Sequence, residues 1–143
     1  KEFKPDWIIY FAGGGPYGRY DQKNFKDHQW SWRVTFEFPA FLLHEIMSAN
    51  SCKNLLFIGS AIAEANPDPK ASSYSAAKHA LKGLIDSVKA EIKNDSIDFR
   101  LELLSPGYMD TPMLPAKALP RQLGKVQDPK IIAAEVMKLV FRA

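Results

Sequence analysis

The stretch NLLFIGS, residues 54–60, runs from Leu55 to Ile58 without a polar residue and then stops at Gly-Ser. Side chains alternate along a strand, so an unbroken apolar run of this length reads as a strand buried on both faces. A similar run lies upstream in DWIIYFAGGG (6–15), and another downstream in DFRLELLSPG (98–107), where Pro-Gly closes it. Between the strands the apolar spacing changes. Trp30, Val34, Phe38, Phe41, Leu42 and Ile46 return at three- and four-residue steps, predicting an amphipathic helix over 27–49 that Pro39 is placed to kink. Ala77, Leu81, Leu84, Ile85, Val88 and Ile92 predict a second helix over 71–93, and a last helix is expected over 128–141. The segment after Ser60, with Pro67 and Pro69, reads as loop, as does the proline-rich stretch 112–120. Strand, helix, strand, helix, strand, loop and helix in that order imply an α/β fold with a parallel sheet. Ligands of such sheets bind at the carboxyl ends of the strands.

Composition sets outer limits on function. The chain has 143 residues, 46% hydrophobic and 24% charged, which suits one soluble globular unit. The apolar runs are too short or too mixed to span a bilayer, and no charged-then-apolar leader opens the chain, so a protein of the cytoplasm is expected. A net charge of +3 with scattered lysines argues against a nucleic-acid partner. Cys52 is the single cysteine, which points to a reducing compartment. His28, His44 and His79 lack the spacing of metal ligands, so no metal site is expected.

SSYSAAKHALKG (72–83) places Tyr74 and Lys78 four residues apart at the start of the second long helix. Residues i and i+4 share a helix face, so a phenol and an ammonium can occupy one site. Alone, the pair reads equally as a half-buried tyrosine beside a solvated lysine. The conjunction carries more weight: Ser60 stands at a strand end, the pair opens the next helix, and SPGYMDTP ends the following strand. A nearby ammonium favours the phenolate, which lowers a tyrosine pKa from its usual value of about 10. Ser72, Ser73, Ser75 and Ser105 read as turn or capping residues.

With FAGGGPYG (11–18), FIGSAIAE (57–64), YSAAKHAL (74–81) and LSPGYMDTPM (104–113) in hand, the sequence resembles the short-chain dehydrogenase/reductase family almost from end to end. The resemblance implies a Rossmann-like, doubly wound parallel sheet. Here that sheet is incomplete: the chain holds strands 4 to 6 of the family order with their helices, as the C-terminal part of a single NAD(P)-binding domain. It implies Tyr74 as general acid and base, Lys78 as its electrostatic partner and ribose ligand, and Ser60 as the anchor of the substrate oxygen. It also implies that Ala12, Gly13, Tyr74, Lys78, Pro106, Gly107, Met109 and Thr111 contact the cofactor. The cofactor is expected to be NAD(P), with NADP slightly favoured, and the substrate a small ketone or secondary alcohol. The segment 113–123 matches the family's substrate lid in place, and the helices from Asp27 and Ala71 match those that pair subunits, so a homodimer or homotetramer is expected.

The chain also departs from the family pattern. It has no Gly-rich dinucleotide turn, and GGGPYG cannot serve as one, because it closes a strand that belongs later in the fold. Residue 1 is Lys, so the chain reads as the second part of a longer protein. Three buried-type strands with two helices on one face and one on the other would leave apolar surface uncovered. Tyr10 and Phe11 stand where the family usually has two asparagines, and Thr35 stands where it has the asparagine of its catalytic tetrad. These substitutions motivate an alternative: a catalytically weak Rossmann-like subunit that senses a nucleotide or serves assembly.

Overall fold

A computed structural model describes residues 4–64 and 68–141. The loop expected through Pro67 lies outside the described residues at that position. Strand β1 is Ile8–Tyr10, β2 is Asn54–Ile58 and β3 is Arg100–Leu104. They pair in parallel in the order β1-β2-β3, with Leu56 opposite both Ile9 and Glu102. The ladder runs on past β2, where the Gly59 N–H donates to Leu104 O at 2.7 Å and the Ala61 N–H to Pro106 O at 2.8 Å. The pattern that predicted three parallel strands therefore holds, with Ser60 just beyond the end of the middle one.

Alternation on β2 divides the core in two. Leu55 and Phe57 face Leu43, Ile46, Leu81 and Ile85, which come from helices α2 (Phe38–Ala49) and α3 (Ser72–Asn94). Leu56 and Ile58 face Ile132 and Val136 of helix α5 (Pro129–Val140). Two helices thus cover one face and one covers the other. Helix α5 starts where Asp128 accepts from the Lys130 N–H at 2.8 Å and Pro129 fills the first turn. A short helix α4, Leu119–Gln122, forms within the proline-rich stretch. β1 and β3 each have a single strand partner among the described residues.

The first long helix differs from its predicted form. Helix α1 spans Phe25–Trp32, a π-turn takes in Arg33–Glu37, and α2 follows without a break. The Phe38 N–H bonds to Arg33 O, five residues back. Pro39 has no N–H, so at this wider spacing the Val34 carbonyl has no helical donor. The Tyr10 hydroxyl supplies one, donating to Val34 O at 2.8 Å. The interruption expected at Pro39 thus falls in the turn before it.

From Trp30 to Phe38 the buried face is displaced by one residue from the predicted stripe, which it rejoins at Ile46. Trp30, Phe38 and Phe41 are exposed, whereas His28, Ser31, Thr35, Pro39, Leu43 and Ile46 are buried. Residues four apart drift round an α-helix by 40° per step, and the wider turn offsets that drift for Ser31, Thr35 and Pro39. Polar residues can occupy this face because each is bonded. His28 Nδ1 lies 2.6 Å from Ser73 Oγ, and both Ser31 and Thr35 donate to Gly14 O, at 2.6 Å and 3.2 Å. By contrast, the stripe predicted for α3 is the one observed, with Ala77, Leu81 and Ile85 buried.

Phe57 is fully buried between the strands and α2 and α3. In the full-length protein Phe57→Ala is expected to cost about 3–5 kcal/mol in urea unfolding. A loss under 1 kcal/mol would mean that this face of the sheet is not packed as described.

Candidate active site

The carboxyl ends of all three strands open onto one cavity of about 280 Å³. Ser60, Tyr74 and Lys78 line it together, as do Gly13, Pro106, Gly107, Met109 and Thr111. Of the residues that the sequence points to, only Ala12 stands outside the lining, on the exposed side of its loop.

Each of the three central side chains is held by its own element. Ser60 leaves β2 in extended conformation and caps the short turn Ala61–Ala63, its Oγ accepting from the Ile62 N–H at 3.3 Å. Tyr74 and Lys78 project from the first two turns of α3. Lys78 is 3% exposed, and its Nζ donates to Ile58 O at 2.5 Å. The same ammonium stands over the Tyr74 ring, 5.5 Å from its centroid.

The electrostatics correct one expectation. Burial raises the Tyr74 pKa, and hydrogen bonding with Ser60 works in the opposite sense but is the smaller effect. The lowering expected from Lys78 is not what this site produces. The ammonium stands over the ring, and its short bond goes to a backbone carbonyl. Burial acts on Lys78 as well, bringing its pKa from 10.5 down to about 8.

The glycine turn after β1 lines the cavity beside Tyr74 and Lys78. Gly15 has to be glycine: a Cβ there would stand 2.6 Å from Ser31 Oγ and 3.2 Å from the Tyr74 Cβ. The preceding residue, Gly14, is clasped by two hydroxyls. Besides accepting from Ser31 and Thr35 at its carbonyl, Gly14 donates its N–H to Thr35 Oγ1 at 3.1 Å. Thr35 therefore binds backbone at the place where a longer amide was expected. Ser73 and Ser75 also differ from their expected capping role: both are buried, Ser73 against His28 and Ser75 3.5 Å from His79.

Three polar side chains of the lining were not anticipated: Tyr17, Asp68 and Tyr108. The sequence around Asp68 signals only a turn, and the partner of its carboxylate is 40 residues away in Tyr108. Over the cavity, Arg121 of α4 organises the segment that matched a lid. It donates to Leu114 O at 3.2 Å and Thr111 O at 2.7 Å, and it pairs with Asp110.

The model of the short chain dehydrogenase family matches residues 9–121, from β1 into α4 and ending before α5. The chain belongs to the short-chain dehydrogenase family. It is 46% identical over 43 residues to dehydrogenase/reductase SDR family protein 7-like of Anopheles gambiae, a match covering 30% of this chain and 13% of that protein. Among solved structures, BdcA in complex with NADPH is similar with a TM-score of 0.82 at 21% identity, covering 96% of this chain and 59% of that one. 4-Hydroxyisoleucine dehydrogenase complexed with NADH gives 0.81 at 22% identity, covering 97% and 62%. The chain thus spans about three fifths of the length of these two structures, and the fold is that of an incomplete Rossmann-like sheet.

A lysine whose pKa falls on folding makes stability depend on pH. Folded Lys78 gives up its proton near pH 8, whereas the unfolded chain holds it to about 10.5, so the unfolded state binds more protons within that window and stability rises with pH. In the full-length protein, stability measured relative to Lys78→Met should therefore increase by about 3 kcal/mol between pH 8 and 10.5. A flat difference would mean that water reaches the ammonium. Separately, Gly15→Ala should lower turnover at least tenfold while leaving the far-ultraviolet circular dichroism unchanged, since its Cβ would press on the side chains of Ser31 and Tyr74 and not on the helix or strand backbone. Unaltered turnover would show that the Tyr74 position is not critical.

Proposed function

We propose that the protein is an NAD(P)-dependent oxidoreductase that transfers a hydride between nicotinamide and a ketone or secondary alcohol, with Tyr74 as the proton donor. What supports this reading is one observation above others: Ser60, Tyr74 and Lys78 share a single wall of a cavity at the strand ends, with the phenol held in its protonated form. A neutral phenol is the form that can give a proton to a carbonyl oxygen. Ser60 sits within influence of that phenol and can donate to the same oxygen, fixing it for transfer. The buried Lys78 ammonium supplies positive potential as negative charge develops on Tyr74.

The lining suits a dinucleotide's nicotinamide end. Gly13 leaves a gap that a Cβ would fill, at 3.4 Å from Lys78 Nζ and 3.6 Å from Thr35 Oγ1. Gly13, Lys78, Pro106, Gly107, Met109 and Thr111 would hold the group, with Ala12 contributing backbone only. When bound, nicotinamide supplies or accepts the hydride. The similar structures named above carry NADPH in one case and NADH in the other, which supports a nicotinamide cofactor without choosing between the two. No described residue carries the slight preference for NADP that the resemblance suggested.

Assembly and location belong to the same proposal. Trp30, Phe38 and Phe41 form an exposed aromatic strip along α1 and α2, which suits pairing with a second copy in a homodimer or homotetramer. No helix among the described residues is long and apolar enough to cross a membrane. Cys52 is a buried free thiol, as expected of the cytoplasm.

Tyr74→Phe in the full-length protein tests the reading, assayed with NADPH or NADH against a panel of ketones. Turnover should fall about a hundredfold to ten-thousandfold while cofactor binding, followed by nicotinamide fluorescence, is retained. Cofactor binding with no Tyr74-dependent turnover on any ketone would instead favour the nucleotide-sensing or assembly subunit. Because burial keeps the phenol protonated, alcohol oxidation should climb steadily as pH rises above neutrality, with ketone reduction favoured at neutral pH. The opposite slopes would mean that Tyr74 is ionised in the resting site.

A further inference from the structure

One end of the cavity carries a carboxylate that the proposed chemistry does not use. Asp68 closes the turn ahead of α3, its Oδ1 accepting from the Lys70 N–H at 2.9 Å. A turn needs nothing more from the side chain. The second oxygen, Oδ2, instead accepts from the Tyr108 hydroxyl at 2.9 Å, across the cavity opening. Both segments are anchored in place. The Gly18 N–H donates to Lys70 O at 2.7 Å, and on the other side the Gln127 N–H donates to Tyr108 O and the Asp110 N–H to Gln127 O, each at 2.8 Å.

Among the described residues no basic side chain lies within ion-pair distance of Asp68. Its negative charge reaches two phenols, Tyr17 and Tyr108, whose pKa values are raised first by burial and then by Asp68. Both therefore stay neutral at ordinary pH. Tyr108 donates its proton in the bond to Asp68, and the Leu119 backbone hydrogen-bonds the Tyr17 oxygen, so this end offers a ligand the remaining lone pairs of the Asp68 carboxylate and the Tyr108 oxygen as acceptors, beside the Tyr17 hydroxyl as a donor. Ile62, Met113, Leu114 and Pro115 add apolar surface to the same cavity.

We propose that Asp68, Tyr108 and Tyr17 select the substrate: a ketone or secondary alcohol with an apolar body and, away from the reacting carbon, a hydrogen-bond donor such as an ammonium or hydroxyl group. Carboxylate substrates are disfavoured because they bring a second negative charge to Asp68. This inference rests on the oxidoreductase reading and deepens it. The two separate experimentally because binding can be scored without turnover.

Four acetophenones of matched shape test it on the full-length protein: 4-(aminomethyl)acetophenone, 4-(hydroxymethyl)acetophenone, 4-ethylacetophenone and (4-acetylphenyl)acetate. Each is titrated calorimetrically in the presence of oxidised cofactor and assayed for reduction with NADPH or NADH. The ammonium and hydroxyl compounds should bind about threefold to tenfold tighter than the ethyl compound, with the carboxylate weakest. The difference should appear in KM rather than kcat. Asp68→Asn preserves an acceptor for the Lys70 N–H but removes the charge, and it should erase the gap between ammonium and carboxylate. Tyr108→Phe should narrow that gap by releasing Asp68 from its fixed position. A ranking that survives Asp68→Asn, or an ethyl or carboxylate compound bound best by the parent protein, overturns the inference. Absence of Tyr74-dependent turnover on all four would count against the oxidoreductase reading, while the binding series would still decide the role of Asp68.

Discussion

A charged amine buried at the end of the middle strand governs this structure. Taking an ammonium out of water is costly unless it is hydrogen-bonded, and Lys78 meets that requirement with the carbonyl of Ile58, the last residue of β2. The bond ties the second turn of α3 to the tip of the sheet. Tyr74, one turn earlier, is thereby fixed over the strand ends, and Ser60, two residues past Ile58, is brought to the same place. Only glycine fits at position 15, since Tyr74 and Ser31 already occupy the room for a side chain. The position of each lining group thus follows from one interaction between a helix and a strand.

A second set of constraints surrounds the Gly14 peptide. Ser31 and Thr35 hold its carbonyl, and Thr35 also holds its N–H. These two hydroxyls face inward because the helix widens at Arg33–Glu37, and the widening is stabilised by Tyr10 at the end of β1. A tyrosine and a threonine where the family usually has asparagines therefore make bonds of their own to the same part of the molecule. They knit strand end, helix and glycine turn together by different atoms.

The sheet, its order of elements and the central residues were legible in the sequence because their signals are local. Leu55–Ile58 is a strand on composition alone, and Tyr74 and Lys78 are neighbours by helical geometry whatever surrounds them. The buried face of α1 and α2 was not legible. Trp30, Phe38 and Phe41 are more apolar than Ser31 and Thr35, and only the tertiary bonds to Gly14 turn the preference round. Asp68 and Tyr108 were missed for a related reason, since their pairing joins loops that no periodic pattern connects. The direction of the Tyr74 shift was misjudged because sequence spacing reveals that an ammonium is near, but not how deeply the phenol is buried.

The widened turn at Arg33–Glu37 also affects how relatives should be aligned. Such a turn amounts to a single inserted residue that a regular helix absorbs without breaking. A homologue lacking it would need a one-position gap in the middle of the helix, where alignment methods prefer not to put one. Forced instead into the flanking loops, the gap would slide every position from Phe25 onward by one, matching Trp30 with a partner of Ser31. Equivalences in this helix are better drawn from which side chains reach the glycine turn than from the letters that line up.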